Sequence, residues 1–275
     1  MLELAPDIFK RIVQIAHARW GIHLTERKVA LVANRLSTYL RRTQRFESID
    51  AYVRHLEDAA DEEDMLVFFD LLSTNVTSFF RDQQHFHLLE REFWQPLVRG
   101  TIPSNNRRVR LWSAACSTGC EPYSMAIQAL DMLPEISRWD VKILATDLSN
   151  KALAAARAGV YPDAEVAAVS EELREKHFER VTHGGQRCWR VADHVRELVT
   201  IRQVNLMEPY PFRGPFDVVF LRNVMIYFDR ETRESLVRRI AGYLRPGGFL
   251  AVGGAETLSG LDVPLRPLSA GVYVQ

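Results

Sequence analysis

From Arg108 onward the chain alternates short apolar runs with longer amphipathic ones, and few architectures accommodate that rhythm. "RVRLWSA" (108–114) reads as a buried strand and "EPYSMAIQALDML" (121–133) as a helix. "VKILATD" (141–147) is a second strand, followed by the helix "NKALAAARAGV" (150–160) with Ser149 placed to cap it. "FDVVFLRN" (216–223), the helix "RETRESLVRRIAGYL" (230–244) capped by Asp229, and "GGFLAVGG" (247–254) after the "RPGG" turn (245–248) continue the pattern. Strands separated by helices imply a mostly parallel sheet covered on both faces, so the expected class is α/β, doubly wound. "GVYVQ" (271–275) is expected to add an edge strand.

Two regions depart from this rhythm. In 161–206, "SEELREKHFERV" (170–181) reads as helical and "HGG" (183–185) as a hairpin turn. "GQRCWRV" (185–191) and "VRELVTIRQVNL" (195–206) then read as two short strands, so a small antiparallel β insertion is expected. Residues 1 to about 90 read as helical throughout. Phe9, Ile12, Val13, Ala16 and Trp20 share one face of a first helix that Gly21 ends. Thr25 opens a second, with Val29, Val32, Leu36 and Leu40, and Ser48 or Asp50 a third reaching about Leu56.

Charge in this helical part is segregated. Ile8 to Arg45 carries nine basic side chains and one acidic one, Glu26; Phe46 to Asp70 carries nine acidic side chains and one basic one, Arg54. Either the two runs pair with each other across solvated helix faces, or the first forms a docking face for an acidic protein partner. Arg35, Arg41, Arg42 and Arg45 are the residues of such a face. Over the whole chain the formal net charge is +0, which disfavours nucleic acid and acidic membrane as partners. With 275 residues, 47% of them hydrophobic, there is room for two domains and a sizeable core. No apolar run is long enough to span a bilayer and no leader pattern is present, so a cytoplasmic protein is expected. Cys116, Cys120 and Cys188 make an odd count without a metal-binding spacing; reduced thiols and no metal are expected.

In open parallel sheets, ligands bind beyond the carboxyl ends of the strands. After the first strand comes "SAACSTGCE" (113–121), small residues that let a ligand approach backbone N–H groups, or that simply make a tight connection. The second strand ends in Asp147, placed to accept from both hydroxyls of a ribose, or to cap a turn. Loop and acid together favour a nucleoside ligand. There is no G-x-G-x-x-G and no Walker lysine, which disfavours a dinucleotide or a triphosphate. At a third strand end, "LRNVMIYFD" (221–229) brings Arg222, Asn223 and Tyr227 to the same cleft, with Phe228 equally readable as core. No serine sits in a G-x-S-x-G elbow and the eight histidines fall into no triad-like or metal-like spacing, so transfer chemistry without a general base fits better than hydrolysis.

These motifs resemble the chemotaxis receptor methyltransferases, S-adenosylmethionine-dependent protein-glutamate O-methyltransferases. The likeness rests on "TNVTSFFRD" (74–82), "WSAACSTGCEPYS" (112–124), "ILATDLS" (143–149), "VNL" (204–206) and "FLRNVMIYFD" (220–229), in the family's order; "GIHLTERKVALVANRL" (21–36) resembles its N-terminal helical domain. The resemblance implies a receptor-recognition domain over 1–72, a lid segment over 73–90, and a Rossmann-like methyltransferase domain over 91–275 with the β insertion inside it. It implies that Asn75, Thr77 and Arg81 close over the cofactor while Phe79 and Phe80 seal its apolar parts from water. Glu121 and Asp147 take its amino-acid and ribose ends, Asn205 and Leu206 flank the adenine, and Ala115, Arg222 and Asn223 line the site. Arg81 and Tyr227 stand nearest the reacting centre, as catalytic residues. Cofactor and product would be S-adenosylmethionine and S-adenosylhomocysteine. The partners would be the cytoplasmic helices of chemoreceptors, and a receptor C-terminal peptide at the β insertion, with the chain acting as a monomer. Two departures stand out: Cys120 where the family usually has glutamate, implying less negative charge near the cofactor's ammonium, and Gly254 where many members have histidine. A binder of the cofactor or its product without catalysis, a sensor or scaffold, is the alternative.

Overall fold

The computed structural model describes residues 4–102, 105–133 and 135–275. Four α-helices make up the helical part before residue 73: α1 (Pro6–Trp20), α2 (Val29–Thr43), α3 (Ile49–Asp58) and α4 (Glu62–Leu72). α1 buries Phe9, Ile12, Ala16 and Trp20 and stops at Gly21, whose φ of 68° turns the chain so that the Gly21 N–H donates to the His17 carbonyl and the Ile22 N–H to the Ala16 carbonyl. Ser48 caps α3 by accepting from the Ala51 N–H, and Asp61 caps α4 by accepting from the Asp64 N–H.

The two charge runs fold largely against each other. Arg11 reaches Asp50 at 2.6 Å and Glu57 at 2.5 Å, and Asp64 receives both Arg45 and His55. Arg35 is also occupied: it donates to the carbonyls of Leu71 and Ser73 and to the Thr74 hydroxyl, where α4 leaves the helical domain. Of the four arginines expected on a docking face, Arg35 is half-buried and Arg45, though exposed, is paired with Asp64; Arg41 and Arg42 are exposed as well.

α5 (Gln83–Leu89), a π turn (Glu90–Trp94) and α6 (Gln95–Val98) lead to the sheet. Its elements are β1 (Arg108–Ala114), α7 (Cys120–Met132), β2 (Asp140–Asp147), α8 (Asn150–Ala158), β3 (Val160–Pro162), α9 (Asp163–Val166), α10 (Glu171–His177), β4 (Phe178–His183), β5 (Gln186–Val191), α11 (Asp193–Arg196), β6 (Val199–Gln203), β7 (Phe216–Leu221), α12 (Arg230–Ala241), β8 (Leu244–Val252), β9 (Arg266–Ser269) and β10 (Val272–Val274). The main sheet runs β6-β2-β1-β7-β8-β10-β9, with β6 to β8 parallel and β10 antiparallel to both its neighbours. Ser149 and Asp229 cap α8 and α12 through the Ala152 and Thr232 N–H groups, as their spacing predicts.

Two expectations are corrected. Residues 272–274 lie inside the sheet; the edge is β9, all of whose residues are exposed. The antiparallel insertion is β3-β5-β4, with β4 and β5 joined at Gly184 and Gly185, and it does not include 199–203. Those residues form β6, parallel to β2 with Val199 opposite Ile143, at the outer edge of the main sheet.

β1 shows why its sequence is apolar on both faces. Val109 and Leu111 pack into a core with α5 and α7, while Trp112 and Ala114 face a second core shared with α12 and the helical domain. The Trp112 ring lies 5.2 Å from Tyr210, 5.1 Å from Phe212 and 5.5 Å from Phe216. The helical domain is thus continuous with one face of the sheet. Ile22 forms an antiparallel bridge with Phe228, and the His23 N–H donates to the Tyr227 carbonyl at 2.6 Å. Strand order reverses between β1 and β7, and the loops at their carboxyl ends define one crevice.

Candidate active site

The loop after β1 is folded by left-handed residues: Ala115 (φ 66°), Ser117 (φ 51°) and Gly119 (φ 93°). A side chain at Gly119 would meet the Ala156 Cβ at 2.9 Å, so the loop can press onto α8 only as glycine. This turns the Ser117 N–H onto Asp147 Oδ2 at 2.8 Å, and the Ser149 N–H donates to Oδ1 at 2.9 Å. An ionised carboxylate has about four acceptor sites, so Asp147 keeps acceptor capacity for a ribose hydroxyl. Burial pushes its carboxyl up from the ordinary value, against the pull of the Ser149, Ser117 and Leu148 N–H groups.

Deeper in the crevice lies a buried charge cluster. Arg222, at the end of β7, donates to Glu121 Oε2 at 3.1 Å, to Asp82 Oδ2 at 2.7 Å and to the Arg81 carbonyl at 2.5 Å. The Ser113 hydroxyl donates to the other Glu121 oxygen at 2.7 Å. Burial raises the Glu121 carboxyl more than Arg222 and Ser113 lower it. For Asp82 the balance is reversed: burial is the largest single influence, but Arg222, His85 and the Gly254 N–H together leave it lowered.

Residues 73–82 cross the mouth of the crevice and are stitched on both sides. The Ser117 hydroxyl donates to the Asn75 carbonyl, the Asn75 amide to the Ser149 hydroxyl at 3.4 Å, and the Phe80 N–H to the Ser124 hydroxyl. Arg81 donates to the Val76 carbonyl at 3.0 Å. Phe80 and Asp82 are left-handed, as is Asn223 on the opposite wall, so unfavourable backbone is concentrated around this cavity. The two phenylalanines do not seal the cavity. Phe79 is fully buried in the other direction, edge-on to Tyr161 at 4.9 Å and Phe178 at 5.1 Å, and Phe80 packs on Phe86. They anchor the segment to the β insertion and α5, because the two consecutive rings that follow the polar run each find a dry aromatic partner there.

The cavity itself brings together all the residues expected from sequence. Asn75, Thr77 and Arg81 line one side, Ala115, Glu121 and Asp147 the floor, and Asn205, Leu206, Arg222, Asn223 and Tyr227 the rest. Asn205 lines the cavity, and its amide also donates to the Arg19 carbonyl and to Glu208, which ties it to α1. Cys120 is buried outside the cavity lining, its thiol pushed up to about 12 chiefly by burial, so it carries no charge near neutral pH. A Cβ at Gly254 would lie 3.9 Å from the Asp82 carboxylate oxygens, an ordinary contact, so there is room for a side chain.

Sequence reasoning missed the wall from the helical domain: Trp20, Ile22, Phe69 and Leu72. They reach the site only through the docking of the two domains, and no local pattern marks them. Lys28 sits over the Tyr227 ring at 4.7 Å, its pKa lowered by burial and then by Arg35. Burial is also the main cause raising the Tyr227 phenol, so its hydroxyl stays protonated around neutral pH. A diol acceptor, a carboxylate–guanidinium pair and an apolar wall including Val204, Leu206 and Met207 together fit a nucleoside bearing an amino-acid tail. Among the described residues no group of three His, Cys, Asp or Glu side chains could hold a metal ion.

Comparison with known proteins gives the same outline. Residues 75–274 match the family model described as "CheR methyltransferase, SAM binding domain", and residues 7–73 match "CheR methyltransferase, all-alpha domain". A "Probable chemotaxis protein methyltransferase" of Rhizobium etli is 42% identical over 87% of this chain and 88% of that protein. The "Chemotaxis protein methyltransferase" of Salmonella typhimurium is 37% identical over 94% of this chain and 87% of that one, and the protein of the same name from Borreliella burgdorferi is 34% identical over 94% and 91%.

Proposed function

The chain belongs to the CheR methyltransferase family, and from that membership we propose that it methylates glutamate side chains of chemoreceptors, using S-adenosylmethionine and releasing S-adenosylhomocysteine. The observation that carries the reading is convergence: Arg81 and Tyr227, from segments far apart in sequence, line the same cavity as Asp147 and Glu121. Asp147 would hold the ribose, while Glu121 and Arg222 would hold the ammonium and carboxylate of the amino-acid tail. Bound there, the cofactor supplies an electrophilic methyl group on a positively charged sulfur.

The protein's own task is then narrow. A glutamate has a pKa of about 4.3 and arrives ionised, so no residue has to remove a proton. Arg81 would orient the acceptor carboxylate. Tyr227, kept neutral, would pack beside the transfer path and exclude water. Opposite charges cancel as the ester forms, so a site of low dielectric favours the transition state over the separated ions. In-line alignment contributes the rest, up to about 7–11 kcal/mol in favourable cases.

The acceptor would be a helix of the receptor's cytoplasmic region, steered by the exposed Arg41 and Arg42 toward acidic residues beside the target. The same reading puts the reaction in the cytoplasm; no helix among the described residues is long and apolar enough to cross a membrane. The outer edge of β4 is unpaired within the three-stranded sheet, and a receptor tail would extend it as an added strand. The test is transfer of radiolabelled methyl to receptor fragments followed by mild alkali. Base-labile label on receptor supports glutamate methyl esters. Base-stable label refutes the acceptor. Cofactor binding without any transfer supports the non-catalytic alternative.

A further inference from the structure

Glu256 has no part in the cavity lining, yet it is buried beside the loop that carries Tyr227. Its Oε2 accepts from the N–H groups of Asn223 at 2.8 Å and Gly253 at 2.7 Å, and its Oε1 accepts from the Ile226 N–H at 3.2 Å. No lysine, arginine or histidine pairs with it among the described residues. A buried carboxylate held by main-chain donors alone is costly unless those donors are fixed, so the carboxylate and the loop shape require each other. Asn223 is left-handed (φ 58°), an uncommon state for a residue with a side chain, and its N–H is one of the three. Gly253 has to be glycine: a Cβ there would lie 2.7 Å from the Asn223 amide and 2.8 Å from Glu256 itself. From the other side, the same loop is tied to the helical domain by the His23 N–H on the Tyr227 carbonyl.

We propose that Glu256 is a positioning residue for the acceptor side of the site: by gathering the Asn223, Ile226 and Gly253 N–H groups it sets the turn that presents Tyr227 and Asn223 to the cavity. What Tyr227 does once presented rests on the methyl-transfer reading above; the hydrogen-bond assignment does not.

Glu256→Gln separates the two ends of the turn. A glutamine keeps one acceptor oxygen, enough for Asn223 and Gly253, but turns an NH2 donor toward the Ile226 N–H. Amide hydrogen exchange is measured first. In the wild type, the Ile226 amide should be protected although the residue is 52% exposed. In E256Q its exchange should quicken at least tenfold while Asn223 changes little. Methyl transfer should fall roughly 10–100-fold, with S-adenosylhomocysteine affinity by calorimetry within about threefold, because the bond released is the one nearest Tyr227. In a Tyr227→Phe background, E256Q should add less than about threefold, the non-additivity expected of residues acting through one another. A fast-exchanging Ile226 amide in the wild-type protein overturns the proposal even if the variants do not fold. So do full turnover in E256Q, or losses that simply multiply in the double variant. Failure of the wild type to methylate any receptor would instead count against the functional reading and leave the exchange result standing.

Discussion

Replacing Arg222 with methionine tests the charge cluster most directly. The Arg222 side chain is 2% exposed, against 12% for Glu121 and 29% for Asp82. Methionine fills much of the same space, so the change removes charge and three hydrogen bonds more than volume. Breaking a buried ion pair from one side costs about 3–5 kcal/mol; water reaches Asp82, which places the expected loss near the lower end, about 3 kcal/mol at pH 7. The pH dependence follows from the two carboxylates. In the wild type Glu121 is raised, so its contribution is present below its unfolded value and lost as pH rises through its folded one. Asp82 is lowered, so its contribution is present above its unfolded value and lost as pH falls through its folded one. Without Arg222 burial is less opposed at both: Glu121 rises further and Asp82 rises from its lowered value. The variant therefore takes up protons on folding, and its deficit is largest near neutrality and shrinks as pH falls toward about 5 and below. Urea unfolding followed by tryptophan fluorescence at pH 7.5 and pH 5 measures both quantities. A variant within about 0.5 kcal/mol of the wild type at neutral pH, or a deficit that widens on acidification, would refute the role given to this cluster.

Three further outcomes are expected. Arg81→Ala should lower turnover by about 100-fold or more while cofactor affinity moves less than about fivefold, since the group acts on acceptor alignment; equal losses in kinetics and calorimetry would make Arg81 a cofactor ligand instead. Charge reversal at Arg41 and Arg42 should slow receptor methylation at low salt and matter little near 1 M, where the screening length is about 3 Å; a rate defect insensitive to salt would remove steering from the account. Phe79→Ala should cost about 3–5 kcal/mol, as for a fully buried phenylalanine, and a loss below about 1 kcal/mol on urea unfolding would show that the ring does not anchor the segment.

The parallel strands were legible because each is apolar on both faces, and β1 begins and ends where its residues suggest. β6 was misread because it is the outermost parallel strand. Its residues are half-buried or exposed, with Arg202 and Gln203 in the run, and so resemble an antiparallel ribbon. β9 carries no apolar residue that is buried, which left β10 looking like the edge. α4 packs several faces and reads as a continuous apolar run without a clear stripe, so its limits were not drawn. In the site, polar residues at strand ends announced themselves, since topology brings those ends together in any sheet of this kind. Phe79 and Phe80 misled for the opposite reason. Their neighbours in sequence line the cavity, but their partners, Tyr161, Phe178 and Phe86, come from elsewhere in the chain. Glu256 was silent because its role is visible only once three main-chain N–H groups are seen to converge on it.

The main-chain bridge from Ile22 to Phe228, with the His23 N–H on Tyr227, leaves neither half of the molecule as sole owner of the reaction chamber. A fragment comprising only 91–275 forfeits a tether on Tyr227 even where its sheet folds. Chimaeras that trade helical halves between relatives have to move both ends of that tether together.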